Sequence, residues 1–248
     1  MNFLSLPVFL SDIELYYSSK VIDNTIEIIG DEHHHICNVM RHKLNDDIYV
    51  TDGKGNIYKT KINSFEKKLL TATIIETYLY ENYFNNFIFC LPRLRTSERF
   101  EFALEKCVEL GITNFVVFDS KRSVAKGEKL ERWKKILTSA MKQSLRAWLP
   151  TITYCKSVSE IFRMDGIKII FDQNAEQKLN SIYKSTINIH KSYFIFGPEG
   201  GFDEDELKIE LAQKSENEVI TIKLTDNRLR SETAIITAAA ELSLNLTQ

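Results

Sequence analysis

The chain has 248 residues, 44% hydrophobic and 27% charged, with a formal net charge of −2. This is the composition of an ordinary globular protein, long enough for one large domain or two modest ones. Four scattered cysteines (Cys37, Cys90, Cys107, Cys155) form no CxxC pair, so no zinc ribbon or redox dithiol is expected and the compartment reads as reducing. Met1–Leu10 has no basic region and runs into Asp12 and Glu14, and no apolar run reaches membrane-span length. A signal peptide and a membrane anchor are therefore not expected, and the protein reads as cytoplasmic.

In chain order, residues 26–77 read as a small β-rich module. Ile26–Ile29 predicts a strand, and Asp31 or Glu32 opens a short helix to about His42. Ile48–Val50 and Ile57–Ile62 flank Asp52-Gly53-Lys54-Gly55, a strong hairpin signal, and Leu69–Thr77 closes the module. Glu81–Asn86 is short, polar and rich in asparagine, the best linker candidate, so domains over 1–78 and 79–248 are expected.

From Phe87 strands and helices alternate. Strands are predicted over Phe87–Leu91, Phe115–Phe118, Ile167–Phe171, Tyr193–Phe196 and Val219–Leu224. Helices are predicted from Ser97 to the stop at Gly111, over Leu130–Leu149 before Pro150, and from Ser231 to about Leu244. This alternation predicts an α/β fold with a mostly parallel sheet covered by helices.

Charge is distributed unevenly. Residues 1–90 carry 8 basic and 12 acidic side chains, residues 91–150 carry 13 and 7, and residues 151–248 carry 11 and 15. A basic middle between acidic flanks suits a polyanion surface, although a solvated helical face gives the same count.

Two strand-to-helix loops carry the chemistry. Gly197-Pro198-Glu199-Gly200-Gly201 would let a ligand lie against bare backbone. It is neither a P-loop nor GxGxxG, and the acids at 203–206 would repel a triphosphate. In the second loop Ser231 reads as an N-cap, while Arg228 and Arg230 oppose the helix dipole. A local choice that costs stability hints at function. Gln143 and Arg146, three apart on the predicted helix, would share a face and could hold a nucleobase and a phosphate. His33-His34-His35 cannot chelate one ion from a regular helix, and Asp31 with His35 makes only two ligands, so no metal is expected.

Together these segments resemble the RsmE family, the 16S ribosomal RNA uridine N3-methyltransferases of the SPOUT superfamily. The resemblance runs through His35–Arg41 with Asp52–Gly55, then Glu105–Gly111 (similar to a KxxELG helix). It continues through Lys121-Arg122-Ser123, Glu131-Arg132-Trp133, Gln143–Arg146, Gly197–Phe202 and Leu229–Ala234, in the family's order. It implies an N-terminal PUA-like β-barrel and a C-terminal domain with a deep trefoil knot that forms the S-adenosyl-L-methionine pocket. It also implies a homodimer acting on 16S rRNA in the small ribosomal subunit, at N3 of a uridine (1498 in the family).

Residue by residue, the resemblance places Phe171, Gly197, Glu199, Gly200, Leu224, Leu229 and the backbones of Arg228 and Arg230 at the cofactor. It suggests Arg230 for stabilising or orienting the uridine anion, and Glu232 for accepting a proton or fixing Arg230. Arg122, Gln143 and Arg146, with His35 and Arg41 from the barrel, are the RNA-contact candidates. Thr225-Asp226-Asn227 stands where the family has a Leu-Gly stretch. The rival readings are a ribose 2′-O-methyltransferase of the same superfamily and a non-catalytic RNA-binding or ribosome-assembly protein.

Overall fold

The computed structural model describes residues 10–179, 191–203, 205–206 and 219–246. The chain divides into two compact units: Met1–Asn82 with Met141–Leu149, and Tyr83–Ala140 with Pro150–Gln248.

The first unit holds a six-stranded sheet in the order β1-β4-β5-β6-β3-β2. Its strands are β1 (Leu15–Tyr17), β2 (Lys20–Ile22), β3 (Thr25–Ile29), β4 (Asp47–Thr51), β5 (Asn56–Phe65) and β6 (Leu69–Leu79). β1 runs parallel to β4 and the other pairs are antiparallel. Register shifts between Lys59 and Thr60 and between Ile62 and Ser64 bend the long β5–β6 pair, as bulges do. Alternate positions on these strands (Ile26, Ile28, Ile48, Val50, Ile62, Leu70, Ala72) close on Tyr16 and Ile36 as one core.

The helix predicted from Asp31 to His42 is shorter and is not regular throughout. α1 spans Gly30–His34, and the chain then widens into a π-helical turn over His35–Val39. Arg41 has φ +57°, outside the helical region, which ends the element.

Met141–Leu149 completes this unit. The Gly55 N–H donates to the Ala147 carbonyl and the Leu149 N–H to the Gly53 carbonyl, each at 2.9 Å. Trp148 Nε1 donates to the Tyr80 carbonyl at 2.9 Å. A Cβ on Gly55 would sit 2.6 Å from the Trp148 ring, so this turn needs glycine to admit the indole.

The second unit holds a six-stranded, wholly parallel sheet in the order β12-β10-β11-β7-β8-β9. The strands are β7 (Phe87–Pro92), β8 (Asn114–Phe118), β9 (Thr151–Cys155), β10 (Ile167–Phe171), β11 (Ser192–Ile195) and β12 (Val219–Ile222). Among the described residues this unit carries the helices α2 (Ser97–Glu109), α3 (Leu130–Gln143, its last three residues counted in the first unit), α4 (Val158–Phe162) and α5 (Ser231–Leu246), with α2 packed on α5. β8, β10 and β11 are almost wholly buried, which explains why their sequences are mainly apolar; the exception inside β10, Lys168, is buried with its Nζ donating to the Met164 and Gly166 carbonyls.

The helix predicted over Leu130–Leu149 stops at Gln143. Leu145 takes φ +53°, and the Arg146 N–H reaches back to the Met141 carbonyl at 2.9 Å, a helix-terminating turn with leucine in glycine's usual place. Gln143 and Arg146 therefore do not share a helical face. Among the described residues no helix is long and apolar enough to cross a membrane.

Candidate active site

The C-terminal ends of parallel strands are where an open α/β sheet places ligands, and the two loops singled out from sequence meet there. The Ser231 hydroxyl donates to the Gly197 carbonyl at 2.9 Å. Ser231 was expected to cap its own helix. Instead the Arg230 carbonyl accepts the helix bond from Ala234, and the Ser231 side chain crosses to the other loop. β12 lies two places from β11 in the sheet, so the chain from Ile222 to Ser231 must pass the end of β10 to make this bond.

Phe171, the last residue of β10, stacks on the buried Phe196 with centroids 4.4 Å apart and planes 11° apart. Gly197 has no left-handed φ, and a Cβ there would meet the Phe202 ring at 3.5 Å, an ordinary contact. Neither backbone conformation nor crowding among the described residues requires glycine at this position. Gly201, by contrast, has φ +70° and closes the turn by donating to the Pro198 carbonyl at 2.9 Å.

Glu199 is exposed, and its Oε1 accepts the Arg95 N–H at 3.0 Å. Gly200 is also exposed. Its carbonyl accepts from Arg122 Nη1 at 3.2 Å, and Arg122 Nη2 reaches Asp203 at 3.4 Å. Arg122 thus braces the glycine-rich loop. Burial pushes the Asp203 carboxyl up, but the Asp205 N–H and the cations Lys121 and Arg122 together hold it below its ordinary value.

In the second loop Leu224 and Leu229 are half-buried, while Arg228 and Arg230 are exposed and form no ion pair among the described residues. The segment that departs from the family pattern is braced by its own side chains. Thr225 Oγ1 accepts the Asn227 N–H at 3.1 Å and donates to the Asn227 carbonyl at 2.9 Å. Asp226 faces Lys223 at 2.9 Å and Lys178 at 3.3 Å, and these cations, Lys223 first, hold its carboxyl below the ordinary value.

Glu232 lies in the first turn of α5 with its side chain 12% exposed. Its Oε1 is 3.6 Å from Arg99 Nε, and its Oε2 is buried without a hydrogen-bond partner. Thr96 Oγ1, just before α2, is also buried and unpartnered. Arg95, Thr96 and Arg99 add the β7–α2 connection to the site, which sequence reasoning missed. Arg99 carries the same sequence signal as Arg228 and Arg230, a cation set against the dipole at the start of a helix.

The RNA-contact candidates fall in both units. Arg122 stands beside the glycine-rich loop in the second. His35, Arg41, Gln143 and Arg146 all belong to the first. His35 Nε2 is 3.4 Å from Glu14 and its ring meets Tyr16 edge-on at 5.9 Å. Arg41, Gln143 and Arg146 are exposed. Among the described residues no three His, Cys, Asp or Glu side chains gather as a metal site would require.

The model of an RNA methyltransferase domain matches residues 86–243, and that of an RNA methyltransferase PUA domain matches residues 28–75. A relative from Rickettsia conorii, named ribosomal RNA small subunit methyltransferase E, is 27% identical over 234 residues, covering 93% of this chain and 94% of its own. One of the same name from Aquifex aeolicus is 30% identical over 198 residues, covering 76% and 82%. A solved structure of a ribosomal RNA small subunit methyltransferase E from Neisseria gonorrhoeae, bound to S-adenosyl methionine, superposes with a TM-score of 0.78 at 26% identity, over 94% of this chain and 98% of its own.

Proposed function

We propose that this chain, which belongs to the ribosomal RNA small subunit methyltransferase E family, methylates N3 of a uridine in 16S ribosomal RNA. It is an S-adenosylmethionine-dependent rRNA methyltransferase. The observation that carries the proposal is the Ser231–Gly197 hydrogen bond, which joins the two loops at the strand ends.

The residues of these two loops and the end of β10 suit the cofactor. Gly197, which nothing among the described residues requires to be glycine, leaves backbone for a ligand to lie against. Leu224, Leu229 and the stacked Phe171 offer apolar surface to an adenosine. Glu199, Gly200 and the backbones of Arg228 and Arg230 complete the set we assign to it. We also assign a knotted path to the C-terminal segment, which the passage of the chain across the end of β10 supports.

When bound, S-adenosylmethionine supplies an electrophilic methyl group on a sulfonium. The protein must align uracil N3 with it and stabilise the anion left when the N3 proton departs. An arginine stays charged at any working pH, so Arg230 serves as an anion stabiliser and not as a base. Glu232 has a buried oxygen with no partner and is the proton acceptor. His35, Arg41, Gln143, Arg146 and Arg122 contact the RNA, with residues 1–78 as the docking domain and 79–248 as the methyltransferase domain. The enzyme works as a cytoplasmic homodimer on the small ribosomal subunit, at the uridine numbered 1498 in the family.

The test is methyl transfer from labelled S-adenosylmethionine to purified ribosomal subunits. Label should enter 16S rRNA of the small subunit and depend on Glu232 and Arg230. Label confined to the large subunit would refute the substrate, and undiminished transfer by Glu232→Gln would refute the proton acceptor.

A further inference from the structure

The Glu232 carboxylate is asymmetric. Arg99, from the first turn of α2, faces Oε1 with its Nε at 3.6 Å, while Oε2 is buried without a hydrogen-bond partner. Arg99 itself is 45% exposed. A cation in the first turn of α2 opposes that helix's dipole, so helix formation does not explain it. Its partner supplies a reason, because Glu232 opens the facing helix α5. A carboxylate free to rotate would present either oxygen, whereas one held at Oε1 presents Oε2 alone.

We propose that Arg99 is a positioning residue: it holds Glu232 through Oε1 so that Oε2 points to the uracil and accepts the N3 proton. This rests on the assignment of Glu232 made above. In the step, the N3 proton passes to Oε2 and the N3 electron pair forms the new N–CH3 bond. The sulfonium C–S bond breaks with its electrons staying on sulfur as a neutral thioether, and Glu232 later releases its proton to solvent. Arg99 touches none of the reacting atoms.

The test is a double-mutant cycle on the full-length protein with Arg99→Met, Glu232→Gln and the double variant, together with Arg99→Lys. Single-turnover methylation of small subunits, cofactor affinity and the thermal midpoint are read for each. Arg99→Met should slow methyl transfer about tenfold, with cofactor affinity unchanged and the midpoint lowered by no more than about 4 °C. In the Glu232→Gln background, where transfer has already fallen about a hundredfold, Arg99→Met should cost nothing more. Arg99→Lys, which keeps the cation on a shorter reach, should recover part of the rate.

A second readout needs no cofactor. In the apo protein, the two single variants and the double should show a coupling of about two- to fivefold in the folding constant. A rate loss of equal size in both backgrounds, or wild-type transfer by Arg99→Met while Glu232→Gln is impaired, would overturn the positioning role. Wild-type transfer by Glu232→Gln would instead overturn the assignment of Glu232 on which it rests.

Discussion

Gly197→Ala separates a fold requirement from a ligand requirement within one loop. The new methyl group would contact the Phe202 ring at 3.5 and 3.6 Å, ordinary van der Waals distances, and the backbone is not left-handed. Replacing glycine by alanine where the native conformation permits it restricts the unfolded chain, and stabilises by about 0.5 kcal/mol. Gly201→Ala, four residues along the same loop, forces an alanine to φ +70° and should destabilise by about 1–2 kcal/mol. If the cofactor lies on the Gly197 backbone, the methyl group that the apo protein tolerates takes that space. Cofactor affinity should then fall at least about tenfold, or ~1.4 kcal/mol. Denaturant titration of the apo proteins and calorimetric titration with S-adenosylmethionine measure the two effects separately. Wild-type affinity in Gly197→Ala, or a loss of apo stability as large as that of Gly201→Ala, would refute the reasoning.

Gly55→Ala would drive a Cβ to 2.6 Å from the Trp148 ring at φ +98°, and should destabilise the protein by about 2–3 kcal/mol in denaturant titration. Asp226 has a depressed carboxyl pKa, so the stability it gains from Lys223 and Lys178 is fully present above its ordinary value of 3.8 and is lost as pH falls through its lower folded value. The stability difference between wild type and Asp226→Asn should therefore be present at neutral pH and close in acid, and a difference that persisted below the folded value would contradict this account.

The parallel sheet was legible because its buried strands are mainly apolar, with Lys168 the one charge inside β10, and a strand covered on both faces has no alternating polar side to disguise it. The β4–β5 hairpin announced itself through Gly53 and Gly55. What those glycines are for did not show, because Trp148 and Leu149 return to them from more than ninety residues away.

The same segment defeated the helix prediction. Lys142 to Leu149 contains no glycine or proline, and only the contacts of Ala147 with Gly55 and of Trp148 with Tyr80 justify an αL leucine at position 145. Ser231 fitted the local capping pattern, and a pattern of near neighbours cannot reveal a bond to the Gly197 carbonyl, 34 residues earlier. Arg99 went unread for the complementary reason. Its helix was recognised from its apolar face, and its charged first turn was passed over. Both loops of the candidate site were visible in their glycines and arginines, while the connection after β7 became visible only once β7 was seen beside β11.

The central claim is the chemical position of the methyl group. Small ribosomal subunits from a strain lacking this gene would be incubated with the purified protein and methyl-labelled S-adenosylmethionine, and the RNA digested to nucleosides for mass spectrometry. The account predicts label in N3-methyluridine from 16S rRNA. Label in a 2′-O-methyl nucleoside, or none in subunits that lack the modification, would contradict it.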